Sequence, residues 1–222
     1  MSMSITDCIS LFTIGFGALF PLVNPIGTAL IVNPFFEGTS PSDRRQFAFK
    51  VVFYSFVLSV ATLCLGSVVL RFMGIAITTT EMAGGVVIAQ IGMKLLNSGA
   101  NGDQQQDDAR KCEIPNVAKS LFYPIAFPLT VGPGCISVLI ALSAHAHSGG
   151  VGTSLERKVV LAVSVLATLV ITYFCFIYSS VIIRRIGSSG SIVLNRLMAF
   201  IVFCVGIQMS VNGLMRAFPK IF

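Results

Sequence analysis

The chain has 222 residues, 55% of them hydrophobic and 11% charged, with a mean hydropathy of +0.87. Soluble domains carry about 25% charged residues, so these proportions exclude a water-soluble globular fold and make the lipid bilayer the main solvent. The formal charge of +6 then bears on membrane orientation, where Lys and Arg mark the cytoplasmic side, and implies no nucleic-acid partner.

A helix crosses the hydrocarbon with about 20 apolar residues. Six runs meet that length: 8–36, 47–70, 75–96, 120–143, 159–183 and 192–215. The first seven residues hold no Lys or Arg, so a secretory n-region is missing and run one is expected to remain as a span. That run is too long for one straight helix and contains Phe20-Pro-Leu-Val-Asn-Pro-Ile-Gly27. Proline removes a backbone donor and clashes with the preceding turn, so a break near Pro21–Pro25 is expected. Run three carries Ala83-Gly-Gly85, a small face for close helix packing, and Gln90, Lys94 and Asn97 at helical spacing. Residues 97–119 include Asn-Gly-Asp-Gln-Gln-Gln-Asp-Asp and are expected to form a flexible polar cytoplasmic linker. Run four holds a second break, Phe127-Pro-Leu-Thr-Val-Gly-Pro-Gly134. His145-Ala-His147 follows it without further metal-ligand spacing, so no metal and no other cofactor is expected. Cys64, Cys135, Cys175 and Cys204 lie inside apolar runs, where a thiol acts as a small hydrophobe.

The two halves repeat one another. Ile91-Gly-Met-Lys-Leu-Leu-Asn-Ser-Gly99 matches Val205-Gly-Ile-Gln-Met-Ser-Val-Asn-Gly213 with a constant offset of 114, and the two proline breaks open their halves alike. Three spans per copy is an odd number, so the second copy enters the membrane inverted. The expected fold is an all-α polytopic membrane protein of six transmembrane helices. They form two inverted three-helix repeats, 1–96 and 120–222, joined by 97–119, with spans one and four broken. With the N-terminus outside, ten of the 15 Lys and Arg residues fall on cytoplasmic segments and five outside. The positive-inside rule then puts both termini outside.

In hydrocarbon, freed backbone groups need partners, so broken helices are tolerated only against protein or a wet cavity. Paired breaks in corresponding places point to a transporter's substrate site. Restarting helices are expected to offer N–H groups near Ile26, Gly27 and Thr28, and near Gly134 to Ile136, to a negative group. Carbonyls near Leu19–Leu22 and Phe127–Thr130 would suit an ammonium or cation. The candidate substrate-binding residues are Asn24, Pro25, Gly27 and Thr28 at the first break, and Thr130, Gly132, Pro133, Gly134 and Ser137 at the second. The alternative is that the prolines kink helices for packing. Glu81, Gln90 and Gln208 are candidates for gating or coupling. An embedded carboxylate suits coupling to H+, whereas Glu81 after three threonines also suits a helix N-terminal acid. Sliding span six by one residue sets Glu81 opposite Arg196. Gln90 and Gln208 would bind ligand or join helices. No Ser/His/Asp set, carboxylate dyad or phosphate loop occurs, so no enzyme is expected.

Asn24-Pro-Ile-Gly27, Glu81-Met-Ala-Gly-Gly85, Pro128-Leu-Thr-Val-Gly-Pro-Gly134 and Asn195-Arg-Leu-Met198 with Gly206-Ile-Gln208 resemble the MarC family, in order and over essentially the whole chain. The resemblance implies a multi-pass protein of the bacterial or archaeal inner (plasma) membrane, related to small amino-acid exporters. Glu81 stands where the family usually has Arg, and Leu30 where a further proline often follows. The expected function is secondary transport of a small polar or zwitterionic solute such as a neutral amino acid. Transport would proceed by alternating access at the paired breaks, with H+ or Na+ as coupling ion and a homo-oligomer as a further partner state. An ion or solute channel, or a membrane scaffold without solute flux, is the alternative.

Overall fold

The computed structural model describes residues 4–33, 39–97, 121–146 and 151–218. Every regular element among them is helical: α1 (Ile5–Val23), α2 (Pro25–Val32), α3 (Pro41–Phe72), α4 (Ile77–Asn97), α5 (Leu121–Thr130), α6 (Pro133–Ala146), α7 (Val151–Ile177) and α8 (Ser179–Ala217). The linker expected at 97–119 lies outside the described residues except for Asn97, as do the side chains of the His145–His147 pair.

Four stretches are long and apolar enough to cross a bilayer: Ile5–Val32, Pro41–Phe72, Ser154–Ile177 and Ile192–Ala217. Leu121–Thr130 and Pro133–Ser143, bent by 65°, make a fifth when counted as one span. α4 is not among them. Its 21 residues include three threonines, Glu81, Gln90 and Lys94, which dilute its apolar content.

The two breaks have different local causes. α1 runs through Pro21 and ends at Asn24, within the expected Pro21–Pro25 break. Asn24 is left-handed, with φ 46° and ψ 66°, a conformation that asparagine tolerates better than most residues. Pro25 follows, which disfavours helix in the residue before it and is pre-organised as the first residue of α2. At the second break Tyr123 and Phe127 are extended, at φ −121° and −130°. Each precedes a proline, Pro124 or Pro128, so the same steric rule acts twice within one short element.

Packing closes the bundle. Leu19, Leu63, Ile88, Leu139, Leu161 and Val202, one each from α1, α3, α4, α6, α7 and α8, share the main core. α1 and α2 pack on α7, α5 and α6 pack on α3, and α3 crosses α7. α4 and α8 form the most extensive contact, and they run antiparallel: Met82 meets Gly213, Ala89 meets Gly206 and Gly92 meets Phe203. A Cβ added at Gly206 would overlap the Ala89 amide nitrogen, and one at Gly92 would stand 2.5 Å from that of Phe203. Small residues permit this backbone approach where lipid offers no hydrophobic drive.

One end of the bundle is tied by Arg44 at the start of α3. Its Nε donates to the Phe176 carbonyl at 3.1 Å, Nη1 to Ser180 Oγ at 2.8 Å, and Nη2 to Asn33 Oδ1 at 2.9 Å and to Ser179 Oγ. The network joins the end of α2 to the α7–α8 junction. The opposite end carries Glu81, which is 4% exposed and accepts from Arg216 Nη1 at 3.2 Å.

Candidate functional site: a cavity between two broken helices

The two breaks meet inside the bundle. Val23 of α1 is buried with Val131 and Cys135 around the second break. A Cβ on Gly134 would stand in ordinary contact with Leu22 and Ile88 and slightly closer, at 3.3 Å, to Ile91. Beside this junction lies a cavity of about 50 Å3. Its walls are Pro21 to Asn24 with Thr28, Leu129 of the second break, Ile91 and Leu95 of α4, and Met198, Ala199 and Val202 of α8. A water molecule occupies about 30 Å3 of liquid, so one or two fit. Small-molecule pockets start at roughly 300 Å3, so a solute requires the walls to part. A second void of about 10 Å3 sits behind Val23 and Val131, against Ser59 and Thr168.

The polar groups at the breaks are largely satisfied within the chain. Asn24 Oδ1 accepts the Gly27 N–H at 3.2 Å, and the Thr28 N–H goes to the Asn24 carbonyl at 2.8 Å. The Thr28 hydroxyl donates to the carbonyls of Val23 at 2.6 Å and Asn24 at 2.9 Å. The Thr130 hydroxyl donates to the Ile125 carbonyl at 2.8 Å, and the Val131 N–H to that of Ala126 at 2.9 Å. In each break a threonine thus caps the carbonyl five residues earlier, where the helical ladder is interrupted. Three of the donors expected to face an anion are bonded within the chain: those of Gly27 and Thr28, and that of Ile136, which goes to the Gly132 carbonyl at 3.1 Å.

Of the candidate substrate residues, Asn24 and Thr28 line the cavity. Pro25 and Gly27 are buried just behind them, Gly27 beneath the side chains of Asn24 and Asn195. Gly134 backs the cavity walls Leu22 and Ile91. Thr130 is fully buried in its capping role, and Gly132 approaches the Pro128 carbonyl. Pro133 is exposed at the start of α6. Ser137 donates to the Pro133 carbonyl at 2.9 Å and lies against Gly84 of α4.

The gating candidates separate. Glu81 pairs with Arg216 and not with Arg196, which is exposed. The α4–α8 register that sets Met82 against Gly213 brings the last turn of α8 to Glu81. Gln90 and Gln208 are exposed on the outer faces of their helices, and Gln208 donates to Asn212 Oδ1 of its own helix at 3.0 Å. Neither reaches the cavity. The apolar walls were not among the candidates. Ile91 and Leu95, and Met198, Ala199 and Val202, stand at the three- and four-residue spacings of one helix face. That spacing was visible in the sequence, but in an apolar run nothing distinguishes a face toward a cavity from one toward core.

The family profile described as "MarC family integral membrane protein" matches residues 9–218. Among curated relatives, the UPF0056 inner membrane protein MarC of Salmonella paratyphi A is 28% identical over 213 residues, covering 95% of this chain and 96% of its own. A UPF0056 membrane protein of Methanocaldococcus jannaschii is 28% identical over 211 residues, covering 93% and 97%. The UPF0056 membrane protein YvbG of Bacillus subtilis is 30% identical over 204 residues, covering 92% and 94%. No solved structure matches the chain. The protein belongs to the MarC family of integral membrane proteins.

Proposed function

We propose that this chain is a secondary transporter of a small polar or zwitterionic solute, a neutral amino acid being the class that best suits the site. The observation that carries the proposal is that two helices broken by proline, far apart in sequence, meet at one cavity with polar and apolar walls. Broken helices in corresponding halves are where transporters hold their substrates. The proposed architecture is six spans in two inverted repeats, with α4 as the third span.

The packing supports that symmetry. Gly92 and Gly206 are 114 positions apart, and so are Ala89 and Phe203. The contact of Gly206 with Ala89 therefore has its exchanged counterpart in that of Gly92 with Phe203. Likewise, the first broken pair packs on α7 while the second packs on α3. Besides the two breaks, the cavity walls come from α2, the last turns of α4 and the early part of the α8 span, which belong to one end of the bundle. The other end is shut by the glycine seam and the Glu81–Arg216 pair. A site approached from one end and closed at the other suits alternating access better than an open channel. Opening the far end would require α4 and α8 to slide or part, and Glu81, at that end, is the candidate for coupling to H+.

Counterflow of labelled amino acids into liposomes holding the purified protein tests the proposal. Saturable exchange supports a carrier. Single-channel currents without saturable exchange would replace it with a channel, and the absence of any flux would leave a scaffold role.

A further inference from the structure

The α8 face that lines the cavity continues one turn beyond it. Met198, Ala199 and Val202 form the wall, and Asn195 precedes Met198 and Ala199 at the spacings that share a helix face. Its carboxamide reaches over the first break. Asn195 Oδ1 stands 2.7 Å from where a Cβ on Gly27 would be, and Asn24 Nδ2 crowds the same point. Gly27 is thus the one residue without a side chain beneath two converging amides. Asn24 Oδ1 is engaged by the Gly27 N–H, which leaves Nδ2 as the donor of that amide. Asn195 is exposed and Asn24 half-buried, so the pair steps from the surface into the cavity. No charged side chain lines the cavity among the described residues. A solute with net charge would lose its hydration there without a counter-charge.

We propose that Asn195 is a specificity-determining residue that, with Asn24, forms an amide pair at the cavity mouth selecting small zwitterions. Asn24 Nδ2 donates to the solute carboxylate, and Asn195 Oδ1 accepts from its ammonium. The proposal rests on the transporter reading above and names the recognition element of that same site.

Counterflow of a neutral amino acid, and of the matching amine that lacks its carboxylate, tests it in Asn195→Ala and Asn195→Asp. Asn195→Ala raises the half-saturation concentration about tenfold, the worth of one hydrogen bond to a charged group, with the maximal rate kept. Asn195→Asp moves preference toward the amine, because a second carboxylate repels the first. An Asn195 that only packs on Gly27 would alter all solutes alike, and unchanged preference in Asn195→Asp overturns the proposal. A second measurement keeps the answer independent of transport. In a background with the six native cysteines replaced, Asn195→Cys is labelled by a membrane-impermeant maleimide and protected by the zwitterion. Phe200→Cys, at a side chain 55% exposed on the outer face, serves as the lipid-facing comparison. Labelling at position 195 no faster than at 200, or unprotected by a solute that exchanges, also overturns the proposal. If the wild type exchanges no solute, the transporter reading fails first, and fast or slow labelling at 195 still decides whether a wet mouth exists there.

Discussion

At the scale of residues, glycines with crowded surroundings and glycines with open ones make opposite predictions. Gly206 sits where a Cβ would strike the backbone of Ala89 and the Gly85 carbonyl, atoms that cannot rotate aside. Gly17 has nothing within 4 Å of its notional Cβ. Overpacking costs about 1–3 kcal/mol, while replacing a helical glycine by alanine in open space gains up to about 1 kcal/mol. Thermal unfolding in detergent is therefore expected to show a lowered midpoint for Gly206→Ala and an equal or raised one for Gly17→Ala. Equal midpoints for the two would contradict the close α4–α8 crossing. The sequence marks Gly206 by the repeat and the family motif but does not show the crowding that separates it from Gly17. The small face at Ala83–Gly85 was legible there because two adjacent glycines in an apolar run signal close packing, and Gly85 does lie against Gly206 and Ser210. The need for glycine at position 27 was legible only as backbone freedom. The crowding by Asn195 comes from a residue 168 positions away and has no local signature.

At the scale of elements, the α1–α2 break depends on Asn24 in two ways: its left-handed backbone and its side-chain cap on Gly27. Glycine adopts the same backbone freely but has no cap, and alanine lacks both advantages. Replacing an asparagine cap costs a few tenths of a kcal/mol for glycine and about 1 kcal/mol for alanine, to which alanine adds left-handed strain. The stability order wild type, Asn24→Gly, Asn24→Ala is expected in thermal unfolding, and Asn24→Ala above Asn24→Gly would refute this account of the break. Prolines made the existence of both breaks legible. Their exact form was not, because the same residue type acts at different places: Pro21 is carried inside α1, whereas Pro124 and Pro128 force Tyr123 and Phe127 out of helix. Donors assigned to an anion from helix geometry alone turned out to bond within the chain, since the side-chain and backbone carbonyls of Asn24 offer nearer acceptors. The third run was legible as a helix by length. Its polar content, spread over its ends and outer face, keeps it below the apolarity of the other spans.

At the scale of the whole molecule, an all-helical membrane protein and its family were legible from composition and motif, because lipid requires long helices and sets their length. Of the six expected runs, four stretches, or five with the bent pair, are long and apolar enough to cross. The cavity was legible only as a meeting of two breaks, since its remaining walls are ordinary apolar side chains of α4 and α8. The proposed inverted repeat carries a topological prediction. With ten of the 15 basic residues assigned to cytoplasmic segments in that arrangement, both termini are predicted to lie outside the cytoplasm. Alkaline phosphatase fused at the C-terminus is expected to be active and a fluorescent protein there dark; the reverse pattern would exclude three inverted spans per half with this orientation. The central claim, that the junction of the breaks is the transport site, has its most direct test at Gly134. A leucine there must push against Leu22 and Ile91, two walls of the cavity, while leucine at Gly17 meets open space. Counterflow should therefore be compared among the wild type, Gly134→Leu and Gly17→Leu, each reconstituted as folded protein at equal density. The account predicts saturable exchange in the wild type and in Gly17→Leu, and its loss in Gly134→Leu. Exchange that survives unchanged in folded Gly134→Leu would contradict a site at the paired breaks.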